Sequence, residues 1–89
     1  MCSSDLYGTC HNPTHPGRTT CGSSSGSAAA LAAGLCDVAL GTDTGCSIRL
    51  PSAACETVGL KSQWGLISLE GVFPLCPTLD TVGPMARSV

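Results

Sequence analysis

The residues able to do chemistry concentrate in two loops of glycine and hydroxyl residues within an 89-residue chain. The first, Cys21-Gly22-Ser23-Ser24-Ser25-Gly26-Ser27, runs straight into Ala28-Ala29-Ala30-Leu31-Ala32-Ala33. The second is Gly41-Thr42-Asp43-Thr44-Gly45-Cys46-Ser47. A serine attacks a carbonyl only when a tight turn exposes its hydroxyl, backbone N–H groups can take the charge of a tetrahedral intermediate, and a base removes its proton. Gly45-Cys46-Ser47 supplies the turn and candidate donors, and Ser23 or Ser24 supplies a second hydroxyl able to relay a proton. No histidine is arranged as an obvious base, and the G-x-S-x-G elbow does not fit here. Spacing alone leaves two readings open: a nucleophilic serine with its relay, or two ordinary Gly/Ser turns.

The elements around these loops must position them. The alanine run is the strongest helix former in the chain, with Ser27 or a nearby serine as cap and Gly34 as stop. A Gly/Ser loop feeding a helix N-terminus concentrates N–H donors and favours negative charge. Val38-Ala39-Leu40 reads as a short buried strand. Ile48 to Leu50 begins a helical turn before Pro51, and Ser52 to Cys55 is helical. Val58 to Lys61 reads as a strand, Leu66 to Leu69 as extended chain, Pro74 to Pro84 as loop and extended chain, and Met85 to Val89 as the first turn of a helix. This alternation predicts an α/β fold. Trp64 and Phe73 read as core or cover residues.

Composition excludes several classes. The chain is 43% hydrophobic and 11% charged with net charge −2, and its basic residues are Arg18, Arg49, Lys61 and Arg87. No basic stripe exists for direct nucleic-acid binding. Ala28 to Cys36, the longest apolar stretch, falls far short of the roughly 20 residues of a membrane span. Seven cysteines would suit a secreted disulfide scaffold, but the count is odd, no C-x-x-C pair occurs and no signal-peptide pattern opens the chain. Reduced thiols in a cytoplasmic protein are the better expectation. Cys10, His11 and His15 invite a zinc reading, yet Pro13 and Pro16 forbid the helix that H-x-x-x-H ligands need. A polar loop is expected there, with no metal and no cofactor. One tyrosine, one tryptophan and one phenylalanine are few for a self-sufficient core.

The two loops resemble the motifs of the amidase signature enzymes. Cys21 to Ala29 is similar to G-G-S-S-G-G-S-A-A, and Gly41 to Arg49 to G-T-D-T-G-G-S-I-R. Ser23 and Ser47 lie 24 residues apart, the spacing of that family's two catalytic serines. Asn12-Pro13, Gly17-Arg18-Thr19, Pro51-Ser52-Ala53, Cys55, Gly59-Leu60-Lys61 and Leu79 to Val89 also match. The resemblance implies a fragment of a mixed β-sheet core covered by α-helices, with amides hydrolysed through a Ser–Ser–Lys mechanism and a serine acyl-enzyme. Ser47 would be the nucleophile, and Ser23, after a cis peptide bond, the bridging serine. The N–H groups of Thr44, Gly45, Cys46 and Ser47 would form the oxyanion hole, with Asp43 and Arg49 bracing the loop. Cys55 would be a packing residue, and Asp80 and Arg87 structural.

The resemblance also has departures. The family's catalytic lysine precedes the first serine loop, whereas Lys61 falls on the structural G-L-K. Losing the group that activates a serine removes roughly 10⁴–10⁶ in rate, so the isolated 89 residues are expected to be inactive. Cys21, Ser25, Cys46 and Glu56 occupy glycine positions, and Ser62 replaces a proline, a pattern of read errors or of a decaying gene copy. Met1 to Leu6 matches what a sequencing-library adapter would encode and reads as a non-native segment. Residues 7–89 then form a partial amidase signature domain without the lysine segment and the C-terminal part. The expected partners are a small-molecule amide, the remainder of the domain, and in the full-length parent a second copy or amidotransferase subunits, with no membrane contact. Two alternatives stand beside a free amidase: the A-type glutaminase subunit of a tRNA-dependent amidotransferase, and a non-catalytic remnant or spurious translation.

Overall fold

The computed structural model describes residues 8–89; the expected non-native segment lies outside them. Helix α1 (Ser25–Ala32) is followed by strand β1 (Val38–Asp43), helix α2 (Arg49–Ala54), the two-residue strand β2 (Val58–Gly59) and strand β3 (Thr81–Ala86). The strands form one sheet in the order β1-β3-β2, antiparallel at both pairings. Helix α1 leans on β1 and β3, and α2 on β2.

The alanine run nucleates α1, but the helix begins three residues before it, at Ser25. The serines expected to cap it do something else. Ser24 stands at the N-cap without a capping side-chain bond. Its hydroxyl donates to the Thr42 carbonyl and accepts from the Thr42 N–H, both at 3.3 Å. Ser27 lies inside the helix and donates to the Leu40 carbonyl at 2.8 Å. These serines dock the helix onto β1. Gly34, at φ +72°, ends the turn that follows, as expected of a left-handed C-terminal residue.

Strand β1 corrects the expectation of a buried run. Ala39, Gly41 and Asp43 face inward, while Val38 and Leu40 are 65% and 67% exposed. Strand side chains alternate between faces, and the described residues cover only one of them. The helix after Ser47 is continuous through Pro51. Proline lacks an N–H, which costs nothing in a first helical turn whose donors have no intrahelical partner. Strand β2 is shorter than Val58–Lys61, although Leu60 extends the ladder by donating to Pro84 O at 3.0 Å.

Two further expectations are overturned. Leu66 to Leu69 forms no strand and opens on a bend: Gly65 at φ +79° sets a turn in which the Leu66 N–H reaches Gln63 O at 3.1 Å. Met85 does not start a helix. It belongs to β3, where Thr81, Gly83 and Met85 point inward and pair with Asp43, Gly41 and Ala39 of β1. A central position between two partner strands overrides the weak β-propensity of Gly83-Pro84. Pro84 is tolerated because its carbonyl, and hence its missing N–H, faces the last rung of the short β2 side, set by Leu60, and leaves the longer pairing with β1 intact.

The buried apolar cluster is small: Ala28, Leu31, Ile48, Cys55 and Met85. Gly41 and Gly83 let the layers close on it. A Cβ on Gly41 would stand 2.7 Å from Ser24 Oγ and 2.9 Å from Met85 Sδ; one on Gly83 would stand 2.0 Å from the Leu60 carbonyl oxygen. Cys55 is buried, as a packing residue should be. Trp64 and Phe73 are not core residues, being 58% and 94% exposed. Trp64 instead ties to the 74–80 segment at one point, its indole N–H donating to Pro77 O at 3.2 Å.

Candidate active site at the two serine loops

The end of β1, the turn into α2 and the loop before α1 converge. Ser24 N–H donates to Ser47 O at 3.1 Å, joining the two serine loops through their backbones. Ser23 and Ser47 line one cavity of about 130 Å³ with Thr42, Thr44, Val72, Phe73, Leu75 and Asp80. The Gly22–Ser23 peptide bond is cis, as the family resemblance implies.

A buried carboxylate fixes the second serine loop. Asp43 is fully buried at the end of β1 and accepts from the N–H groups of Ile48 and Arg49 at 3.1 and 3.3 Å. The Arg49 guanidinium meets it bidentately, with Nε to Oδ2 and Nη2 to Oδ1 both at 3.1 Å, and Nη2 also donates to Gly45 O at 2.8 Å. Burial alone would raise the Asp43 pKa. The hydrogen bonds from Arg49 and the Ile48 backbone outweigh it and hold the carboxyl below its usual range, while the bond to Asp43 raises the Arg49 guanidinium. Among the described residues, no hydrogen bond takes up the N–H groups of Thr44, Gly45, Cys46 or Ser47. The loop therefore carries four uncommitted donors next to a half-buried serine.

The residues standing at the family's glycine positions divide by backbone conformation. Cys21 and Glu56 adopt φ +56° and +57°, the left-handed region that glycine favours. Cys46 and Ser25 lie outside it, so the β-carbon beside Ser47 is not strained by its backbone. Glu56 also reaches His15 Nε2 through Oε1 at 2.7 Å. His15 is thus engaged by a carboxylate, and among the described residues no three His, Cys, Asp or Glu side chains converge as metal ligands.

Sequence reasoning placed Asp80 with the structural residues and did not assign Val72, Phe73 or Leu75 to the site. Asp80 lies 33 residues after Ser47, and only the Asp43↔Thr81 register of β1 and β3 brings it there. Arg87, the other residue read as structural, pairs with Asp37.

Comparison with known proteins agrees with this geometry. The Amidase family profile matches residues 1–89; the chain belongs to that family. It is 49% identical to the A subunit of glutamyl-tRNA(Gln) amidotransferase from Methanothermobacter thermautotrophicus over 94% of its own length and 18% of the relative's. It is 53% identical to amidase 1 of Oryza sativa subsp. japonica, covering 93% of this chain and 19% of that protein. The solved native peptide amidase of Stenotrophomonas maltophilia superimposes with TM-score 0.85 at 51% identity, over 88% of this chain and 16% of that one. The chain therefore spans less than a fifth of these relatives. No helix among the described residues is long and apolar enough to cross a membrane.

Proposed function

We propose that this chain is the serine-loop segment of an amidase, an enzyme that hydrolyses the carbon–nitrogen bond of a small carboxamide. Ser47 attacks the amide carbonyl, and its proton passes through the Ser23 hydroxyl toward a lysine supplied by the remainder of the enzyme. The tetrahedral oxygen is held by N–H groups of Thr44, Gly45, Cys46 and Ser47. Asp43 and Arg49 keep that loop rigid, so its donors need no reorganisation as charge develops. The proton returns along the same path to the leaving nitrogen, which departs as ammonia or an amine; Ser47 carries the acyl group as an ester, and water releases the acid. The observation that carries this reading is the shared cavity of Ser23 and Ser47 beside uncommitted backbone donors. Large apolar residues left exposed, including Leu40, Leu60, Phe73 and Leu75, fit a segment covered by a larger enzyme. The six described cysteines are all unpaired, which fits a reducing cytoplasm.

Release of ammonia from simple carboxamides tests the proposal. The full-length enzyme is expected to turn over and the isolated 89 residues are not. Robust turnover by the isolated chain would refute the role given to an outside lysine. Relatives named as amidotransferase A subunits favour a second reading, a glutaminase that works with partner subunits. Glutamine hydrolysis that rises sharply when candidate partner subunits are added supports it; partner-independent amidase activity supports the free enzyme.

A further inference from the structure

Asp80 is a buried carboxylate that the serine chemistry leaves without a task. It sits just before β3, 5% exposed, and lines the same cavity as Ser23, Thr44 and Ser47. Its oxygens serve two segments at once. Oδ1 accepts from the Thr44 hydroxyl. The Cys76 N–H reaches Oδ1 at 3.0 Å and Oδ2 at 2.9 Å, and the Leu75 N–H reaches Oδ2 at 2.9 Å. The next residue repeats the connection, with Thr81 Oγ1 donating to Asp43 O at 2.7 Å. Two consecutive side chains thus grip two consecutive residues at the start of the nucleophile loop. An ionised carboxylate only accepts, so the Thr44 hydroxyl donates its hydrogen bond to Asp80 and has none for a substrate. What Thr44 can offer a substrate oxygen is its backbone N–H.

We infer that Asp80 is a positioning residue of the amidase reaction. Through Thr44 it aims the N–H groups of the nucleophile loop, and through Leu75 and Cys76 it holds the apolar wall of the cavity above them. The inference rests on the reading of Ser47 as nucleophile. The bond from Thr44, together with those from Leu75 and Cys76, outweighs burial and keeps the Asp80 carboxyl below its usual range, so the clamp stays ionised at neutral pH. Loss of one oxyanion donor costs about 10²–10³ in rate; loosening donors that remain present costs less, about 10- to 100-fold.

The test follows the rate and the final stoichiometry of labelling by a fluorophosphonate probe in the full-length enzyme. Wild type is compared with Asp80→Asn, Thr44→Val, the double variant and Ser47→Ala. Asp80→Asn and Thr44→Val are each expected to slow labelling about 10- to 100-fold while the end point stays at wild-type stoichiometry. The double variant should be no slower than the slower single, because both break one connection. Single-variant rates within about twofold of wild type would overturn the inference. So would multiplied effects in the double variant, or a lowered end point with the remaining sites reacting at wild-type rate, the mark of a purely structural role. Thr44→Val decides the question if Asp80→Asn does not fold. Wild-type labelling of Ser47→Ala would overturn the nucleophile reading instead, leaving the two failures distinguishable.

Discussion

Restoring glycine at Cys21 should tighten the first serine loop, whereas restoring it at Cys46 should not. Cys21 holds φ +56°, where a β-carbon costs about 1–2 kcal/mol. Glycine removes that cost but gives the unfolded chain more freedom, worth about 0.5–1 kcal/mol. At the midpoints of these ranges the net gain for Cys21→Gly is about 0.75 kcal/mol. Glu56→Gly relieves the same conflict at φ +57°, but it also deletes the exposed pair with His15. Such a pair is worth about 0.2–1 kcal/mol, so the net falls close to zero. Cys46 is outside the left-handed region, and Cys46→Gly should loosen its loop by about 0.5–1 kcal/mol. Hydrogen-exchange mass spectrometry of the full-length enzyme reads these changes locally, since opening free energies differ between segments. Exchange at the 22–24 amides should slow by about two- to fivefold in Cys21→Gly, and exchange around 44–48 should quicken in Cys46→Gly. Equal protection from both substitutions, or faster exchange in Cys21→Gly, would refute the argument.

Three further outcomes follow from the same geometry. Arg49→Ala leaves the buried Asp43 carboxylate without its guanidinium and should lower the denaturation midpoint, by less than the loss of a fully buried pair because Arg49 is half exposed; Arg49→Lys should recover only part, lacking the bidentate fork. Asp43 and Asp80 have folded pKa values below the unfolded carboxylate range, so they stabilise the fold above about pH 4 and that contribution fades as pH falls through their folded values; acid titration of Asp43→Asn should show a shallower loss of stability than wild type. Burial raises the Cys55 thiol pKa, and the nearby Cys10 and Cys21 thiols add to the effect; a maleimide should label exposed Cys46 well before Cys55, as mass mapping of a time course would show.

What could be read from the sequence was local. The serine loops carry their meaning in contiguous residues, and Gly34 stops its helix through its own backbone. The features that escaped are set by distant partners. Strand β3 exists because Asp43 pairs with Thr81 and Ala39 with Met85, contacts that no period within Thr81–Ala86 announces. Val38 and Leu40 are apolar and exposed because their face of β1 is uncovered among the described residues. Asp80 reaches the site through the Asp43↔Thr81 register, which sets it against Thr44, 36 residues earlier. The glycine positions show the boundary well: the substitutions at 21, 46 and 56 were visible in the sequence, but only the backbone separates the strained pair, Cys21 and Glu56, from Cys46.

Acylation of Ser47 can be measured directly. The full-length enzyme is mixed with an activated amide or ester, quenched in acid within the first turnover, digested and mapped by mass spectrometry. The acyl mass is expected on Ser47 and should disappear in Ser47→Ala. An acyl group found on Ser23, on Cys46 or on another peptide of the wild-type enzyme, with Ser47 unmodified, would contradict it.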